Sequence, residues 1–155
     1  SFVFTDIVDS TRHLEHHGDV HWQKLMRRHD ELVREQVEAA GGRLIDHTGD
    51  GFFLAFDDVD DAVAASVAIQ RAAAQHLPFD LRIGIHTSEA TYVGEDYRGK
   101  GVHTAARIGA IAAGEEILVS RSSLNGHTDL RLGEPRAAQL KGLAEPVDVV
   151  PVAWR

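Results

Sequence analysis

Apolar residues fall along this chain in two rhythms. "SFVFTDIV" crowds β-branched and aromatic residues together and predicts a first strand. "DSTRHLEHHG" loses that density and predicts a short helix, capped by Asp9 or Ser10 and ended by Gly18. From Asp19 a second helix is expected. Its apolar positions Trp22, Leu25, Met26, Leu32, Val33, Val37 and Ala40 recur three and four apart as one buried stripe, which Gly41 and Gly42 stop. "RLIDHT" and "FFLAF" then flank Gly49-Asp50-Gly51 as the arms of a hairpin. A third helix is expected from about Asp58 to Gln75, opened by acids that suit the positive end of a helix dipole and closed before Pro78. "FDLRIGIHT" reads as a strand, "SEATYVGEDYRG" as a strand and a loop, and "VHTAARIGAIAA" as a helix. "EEILVS" and "VDVVPVAW" supply the last strands. The order β-α-α-β-β-α-β-(β)-α-β predicts an α+β fold. It is the ferredoxin-like split βαβ sandwich, with a mostly antiparallel sheet and helices packed on one face.

Length and charge narrow this picture. The 155 residues suit a single domain spanning 1–155, and a start inside a strand suggests a segment excised from a longer chain. A formal net charge of -8 argues against nucleic acid as a partner, because phosphate contacts need a basic face. It leaves room for a nucleotide substrate, since bound divalent cations can supply the positive charge. There is no cysteine, so disulfide and thiolate chemistry are excluded. No apolar run approaches the roughly 20 residues of a membrane span, so no direct membrane insertion by this segment is expected. A cytoplasmic catalytic domain is the expectation, with the parent chain free to be membrane-attached.

Two aspartates carry the candidate chemistry. Asp50, between two glycines, is ordinary hairpin-turn material and needs no further role. Asp6 is the more informative, because a charge inside "FVFTDIV" is costly unless paired, hydrated or coordinated. A strand-end carboxylate accepting hydrogen bonds from the following helix would also account for it. If the first strand lies beside the hairpin, the two acids converge at one end of the sheet. Two carboxylates, water and phosphate oxygens then make an open magnesium site fit for phosphoryl transfer.

"FVFTDIVDST", "HTGDGFFLAF", "LRIGIHTSEA" and "DYRGKGVHTAARI", in this order, resemble the catalytic domain of class III nucleotidyl cyclases, bacterial members above all. The likeness covers nearly the whole chain. It implies a homodimer with shared active sites, ATP as substrate (GTP as the alternative) and two divalent cations, Mg²⁺ or Mn²⁺. By the same resemblance Asp6 and Asp50 are the metal aspartates, joined by the Ile7 carbonyl, and the partner copy supplies the groups that hold base and phosphates.

His103 and Arg107 lie four apart, one turn from each other on the same face of a helix. Read alone they are a satisfied histidine and a solvated arginine; the resemblance makes Arg107 the residue that stabilises the transition state. His103 stands where the family usually has asparagine. An imidazole N–H can replace an amide donor there, and it brings a titration that asparagine lacks, so a rate dependent on pH between about 5.5 and 7.5 is expected.

Base choice is the second departure. Asp96 matches the aspartate that accepts from the adenine amino group. Asp46 stands where adenylate cyclases carry lysine and guanylate cyclases glutamate. The pair is a hybrid; ATP is favoured, with adenine held at Asp96 and loosely or through water at Asp46. Lys141 resembles a lysine that contacts the triphosphate, and equally reads as an exposed turn residue. The function this resemblance implies is an adenylate cyclase forming 3′,5′-cyclic AMP and pyrophosphate. A guanylate or mixed-specificity cyclase is one alternative, and a degenerate nucleotide-binding regulatory module is another. His13, His17 and His21 are spaced four apart but are expected to be separated by a helix break at Gly18, and solvated.

Overall fold

The opening apolar segment forms the middle of the sheet. In the computed structural model, which describes residues 1–88, 91–93, 96–124 and 130–155, strand β1 (Phe2–Ile7) pairs antiparallel with both β3 (Gly51–Ala55) and β4 (Leu81–His86). With β2 (Arg43–Thr48), β7 (Ile117–Ser120), β8 (Arg136–Ala138) and β9 (Val147–Pro151) they make a seven-stranded sheet in the order β2-β3-β1-β4-β7-β9-β8. All neighbours are antiparallel except β4 and β7. A separate hairpin joins β5 (Thr91–Val93) to β6 (Asp96–Arg98), so part of the expected loop is a strand. The edge strand β8 was not expected; its residues are largely exposed and show no apolar alternation.

The helices are α1 (Ser10–His17), α2 (Asp19–Ala39), α3 (Val59–His76) and α4 (Lys100–Ile111). Asp58 caps α3, its carboxylate accepting the Asp61 backbone N–H at 2.9 Å. Neither expected cap of α1 operates. Asp9 sits in the left-handed region at φ 54° and makes no side-chain capping bond, while Ser10 is already inside the helix. No described helix is long and apolar enough to cross a membrane.

Alternation along β1 sorts the helices into two layers. Val3 and Ile7 face a core built with Leu32, Val33 and Val37 of α2 and Val63 and Ile69 of α3. Phe2 and Phe4 point the other way, into a second cluster with Phe53, Val102 and Ala105. The antiparallel sheet with packed helices is therefore as expected, but α4 covers the opposite face from α2 and α3. Glycines permit this: a Cβ on Gly84 of β4 would sit 2.1 Å from the Gly109 backbone nitrogen of α4. Gly84→Ala should therefore force α4 off the sheet and cost about 2–3 kcal/mol of stability. An unchanged urea midpoint for that variant would mean that the contact is not needed.

Candidate active site

Antiparallel pairing of β1 with β4 sets Asp6 directly opposite Arg82. The guanidinium donates to one Asp6 oxygen from Nη2 at 2.8 Å and from Nε at 3.2 Å, and its Nη1 donates to the Ala110 carbonyl at 3.1 Å. The other Asp6 oxygen accepts the Ile7 backbone N–H at 3.0 Å. Arg82 thus fixes the orientation of Asp6 and ties it to the end of α4. No expectation was attached to Arg82, although the signal was present: a charge inside the apolar strand "LRIGIH", as with Asp6 in "FVFTDIV".

Asp50 reaches the same place from the β2–β3 turn. The left-handed conformation there falls on Gly49, at φ 57°, and not on Asp50, so the turn leaves the aspartate unstrained. Asp6, Ile7 and Asp50 line one open cavity of about 530 Å³, together with Arg82 and the first turns of α1. Partial burial is the main reason the Asp6 carboxyl lies above its ordinary range; the Arg82 hydrogen bond opposes this, and the nearby Asp50 charge adds to it. Two hard carboxylates that crowd each other and open onto solvent are a donor set suited to Mg²⁺ or Mn²⁺ with water and phosphate oxygens completing the shell. Among the described residues no group of three or more histidine, cysteine or acidic side chains is placed to hold an ion, so Asp6 and Asp50 would need water or phosphate oxygens to complete a shell.

The remaining candidates are elsewhere in the chain. His103 and Arg107 are exposed along α4. Asp46 is exposed on β2, where its carboxylate accepts the His47 backbone N–H at 2.8 Å, beside a register shift between Leu44 and Asp46. Lys141 is exposed in the turn after the buried Leu140. Asp96 opens β6; its side chain lies outside the described residues. None of Asp46, His103, Arg107 and Lys141 lines the cavity of Asp6 and Asp50. The cavity of Asp6 and Asp50 is therefore built without these four side chains.

The histidines at the α1–α2 junction are closer than expected. A single residue, Gly18, separates the helices, and the ring centroids lie 6.0 Å apart for His13 and His17 and 5.0 Å apart for His17 and His21. Among the described residues they form no group placed to hold an ion.

Comparison with known proteins gives the family and the fold. Residues 1–143 match the family described as the adenylate and guanylate cyclase catalytic domain. A Rhizobium meliloti protein named "Putative adenylate cyclase 3" is 29% identical over 96% of this chain, which spans only 27% of that relative's length. Among solved structures, an adenylate cyclase from Trypanosoma brucei, in its monomeric state, superposes with a TM-score of 0.86 at 21% identity, covering 97% of this chain and 87% of that one. The guanylyl cyclase Cya2 superposes with a TM-score of 0.85 at 23% identity, covering 98% and 90%. These superpositions establish the fold. The match over residues 1–143 places the chain in the adenylate and guanylate cyclase catalytic domain family.

Proposed function

We propose that this domain is an adenylate cyclase that converts ATP to 3′,5′-cyclic AMP and pyrophosphate at sites shared between two copies of the chain. The observation that carries the reading is the separation just described. Asp6 and Asp50 share a cavity that contains none of Asp46, His103, Arg107 and Lys141. A two-fold dimer that sets the α4 constellation of one copy against the aspartates of the other completes two equivalent sites, and a monomer completes none.

Asp6, Asp50 and the Ile7 carbonyl would hold two divalent cations. When bound, these supply activation of the attacking ribose hydroxyl and neutralisation of phosphate charge. The chain's own residues supply position. Arg82 locks Asp6 in one orientation and keeps positive charge beside the phosphates. From the partner copy, Arg107 stabilises charge at the α-phosphorus as the 3′ oxygen attacks in line and pyrophosphate departs. His103 donates from one turn away, and Lys141 neutralises the triphosphate. Asp96 accepts from the adenine amino group, with Asp46 near the base through water.

His103→Asn is expected to keep cyclic product, because an amide N–H can donate where the imidazole N–H does. A His103→Asn variant that forms no cyclic product would contradict this.

Asp46 supports a second reading. A carboxylate at this position suits guanine better than adenine, so a guanylate or mixed-specificity cyclase is the rival. A product assay with ATP or GTP, and Mg²⁺ or Mn²⁺, separates the two. Cyclic AMP in excess supports the proposal, and cyclic GMP in excess gives base choice to Asp46. Nucleotide binding with no cyclic product would make the domain a regulatory module.

A further inference from the structure

We propose that the N-terminal half of α2 is a docking surface for an anionic lipid headgroup layer. The proposal stands apart from the cyclase reading and uses none of its residues. Lys24, Arg27 and Arg28 follow Val20 by four, seven and eight residues, which sets all four on one face of α2, and all four are exposed. The opposite face carries Leu32, Val33 and Val37 into the core. Val20, at 72% exposure, is the most exposed large apolar side chain among the described residues.

Charge is divided along the helix. Between Asp19 and Arg28 the three cations meet one acid, Asp19, whereas Asp30, Glu31, Glu35 and Glu38 follow with Arg34 as their one cation. Arg34, Arg82, Arg136 and Arg155 each hold a carboxylate at 2.7 to 3.0 Å. Lys24, Arg27 and Arg28 hold none among the described residues, although Glu31 stands four residues beyond Arg27 and three beyond Arg28, where such pairs can form. The result is a patch of uncompensated positive charge on a chain of net charge -8. Acids more than about 10 Å away are largely screened at 0.1 M salt, so the patch acts on its own surroundings.

Shape selects the partner. None of the four residues lines the three principal cavities among the described residues. An exposed helix ridge gives an acidic peptide no groove, and a lipid surface needs none. The cations attract anionic headgroups while Val20, one turn away, sets its methyl groups at the acyl boundary. Because α2 and α4 cover opposite faces of the sheet, docking through α2 leaves the α4 face free.

The test is flotation with phosphatidylcholine vesicles, with and without phosphatidylserine, in about 0.1 M salt. The parent should bind the anionic vesicles about a hundredfold more strongly, since each of three cations contributes about fivefold at such a surface. Lys24→Gln/Arg27→Gln/Arg28→Gln should lose most of that preference, Val20→Ala should bind about fivefold more weakly, and both should keep the parental urea midpoint. Arg136→Gln, which removes a paired cation on β8, should bind like the parent. A parent with no preference for anionic vesicles would overturn the proposal, as would a triple variant that binds like the parent or an Arg136→Gln variant as impaired as the triple one. Binding to polyglutamate but not to vesicles would give the surface to an acidic protein and overturn the lipid assignment.

Discussion

Asp50→Ala is expected to lower cyclase turnover at least about a thousandfold while leaving the domain folded. The aspartate caps no helix and requires no left-handed backbone, because Gly49 takes that conformation in the turn. Its removal leaves Asp6 as the single carboxylate facing the cations, and Asp6 already has one oxygen committed to Arg82. Charge stabilisation by bound metal is worth several kcal/mol in the transition state, and about 4 kcal/mol corresponds to three decades of rate. Raising Mn²⁺ should recover little, since a ligand is missing and not merely weakened. The check is kcat at saturating Mn²⁺ together with the urea midpoint. Activity within tenfold of the parent would place the metals elsewhere, and a collapsed midpoint would make Asp50 a folding residue.

The second large effect lies in the core. His29 of α2 is fully buried between the rings of Phe52 and Phe79, and neither ring nitrogen has a hydrogen-bond partner among the described residues. Burial lowers its pKa from 6.5 to about 4; the neighbouring His47 reinforces this, while Asp30 and Asp50 oppose it. The unfolded chain therefore binds a proton that the folded chain refuses. Stability from this group is complete above about pH 6.5, is lost as pH falls towards 4, and changes no further below that. The gap amounts to about 3 kcal/mol, a large share of a small domain's stability. His86, whose pKa is also lowered by burial, contributes with the same sign, so the parent alone does not isolate His29. His29→Leu should flatten the pH dependence of urea unfolding between pH 7 and 4.5 by most of that amount. Parallel parent and variant slopes would contradict it.

What the sequence discloses here follows the range of the forces involved. Local patterns were legible: the α2 stripe, the Gly18 and Gly41–Gly42 stops and the β2–β3 hairpin all lie where neighbouring residues decide the outcome. Asp6 was legible because a charge in an apolar strand asks for an explanation. Arg82 gave the same kind of signal, but its meaning depends on the cross-strand register that sets it opposite Asp6. The position of α4 on the second face depends on a tertiary contact between Gly84 and Gly109, which no periodicity announces. Asp9 fits a capping pattern yet turns into the left-handed region, because the chain must bend sharply from β1 into α1. The histidines converge because α2 resumes immediately after one glycine, whereas a broken helix had been expected to part them.

The central claim is that each site draws on two copies, and mixing two inactive variants tests it most directly. Asp50→Ala keeps the α4 constellation, and Arg107→Ala keeps the metal aspartates. Neither alone should form cyclic AMP above a trace. Mixed in equal amounts with ATP and Mn²⁺, they should recover about a quarter of parental activity, because half of the random dimers are mixed and each mixed dimer has one intact site of two. No recovery from a mixture shown to exchange subunits, with the parent active, would contradict a shared site and place the whole of the chemistry within one chain.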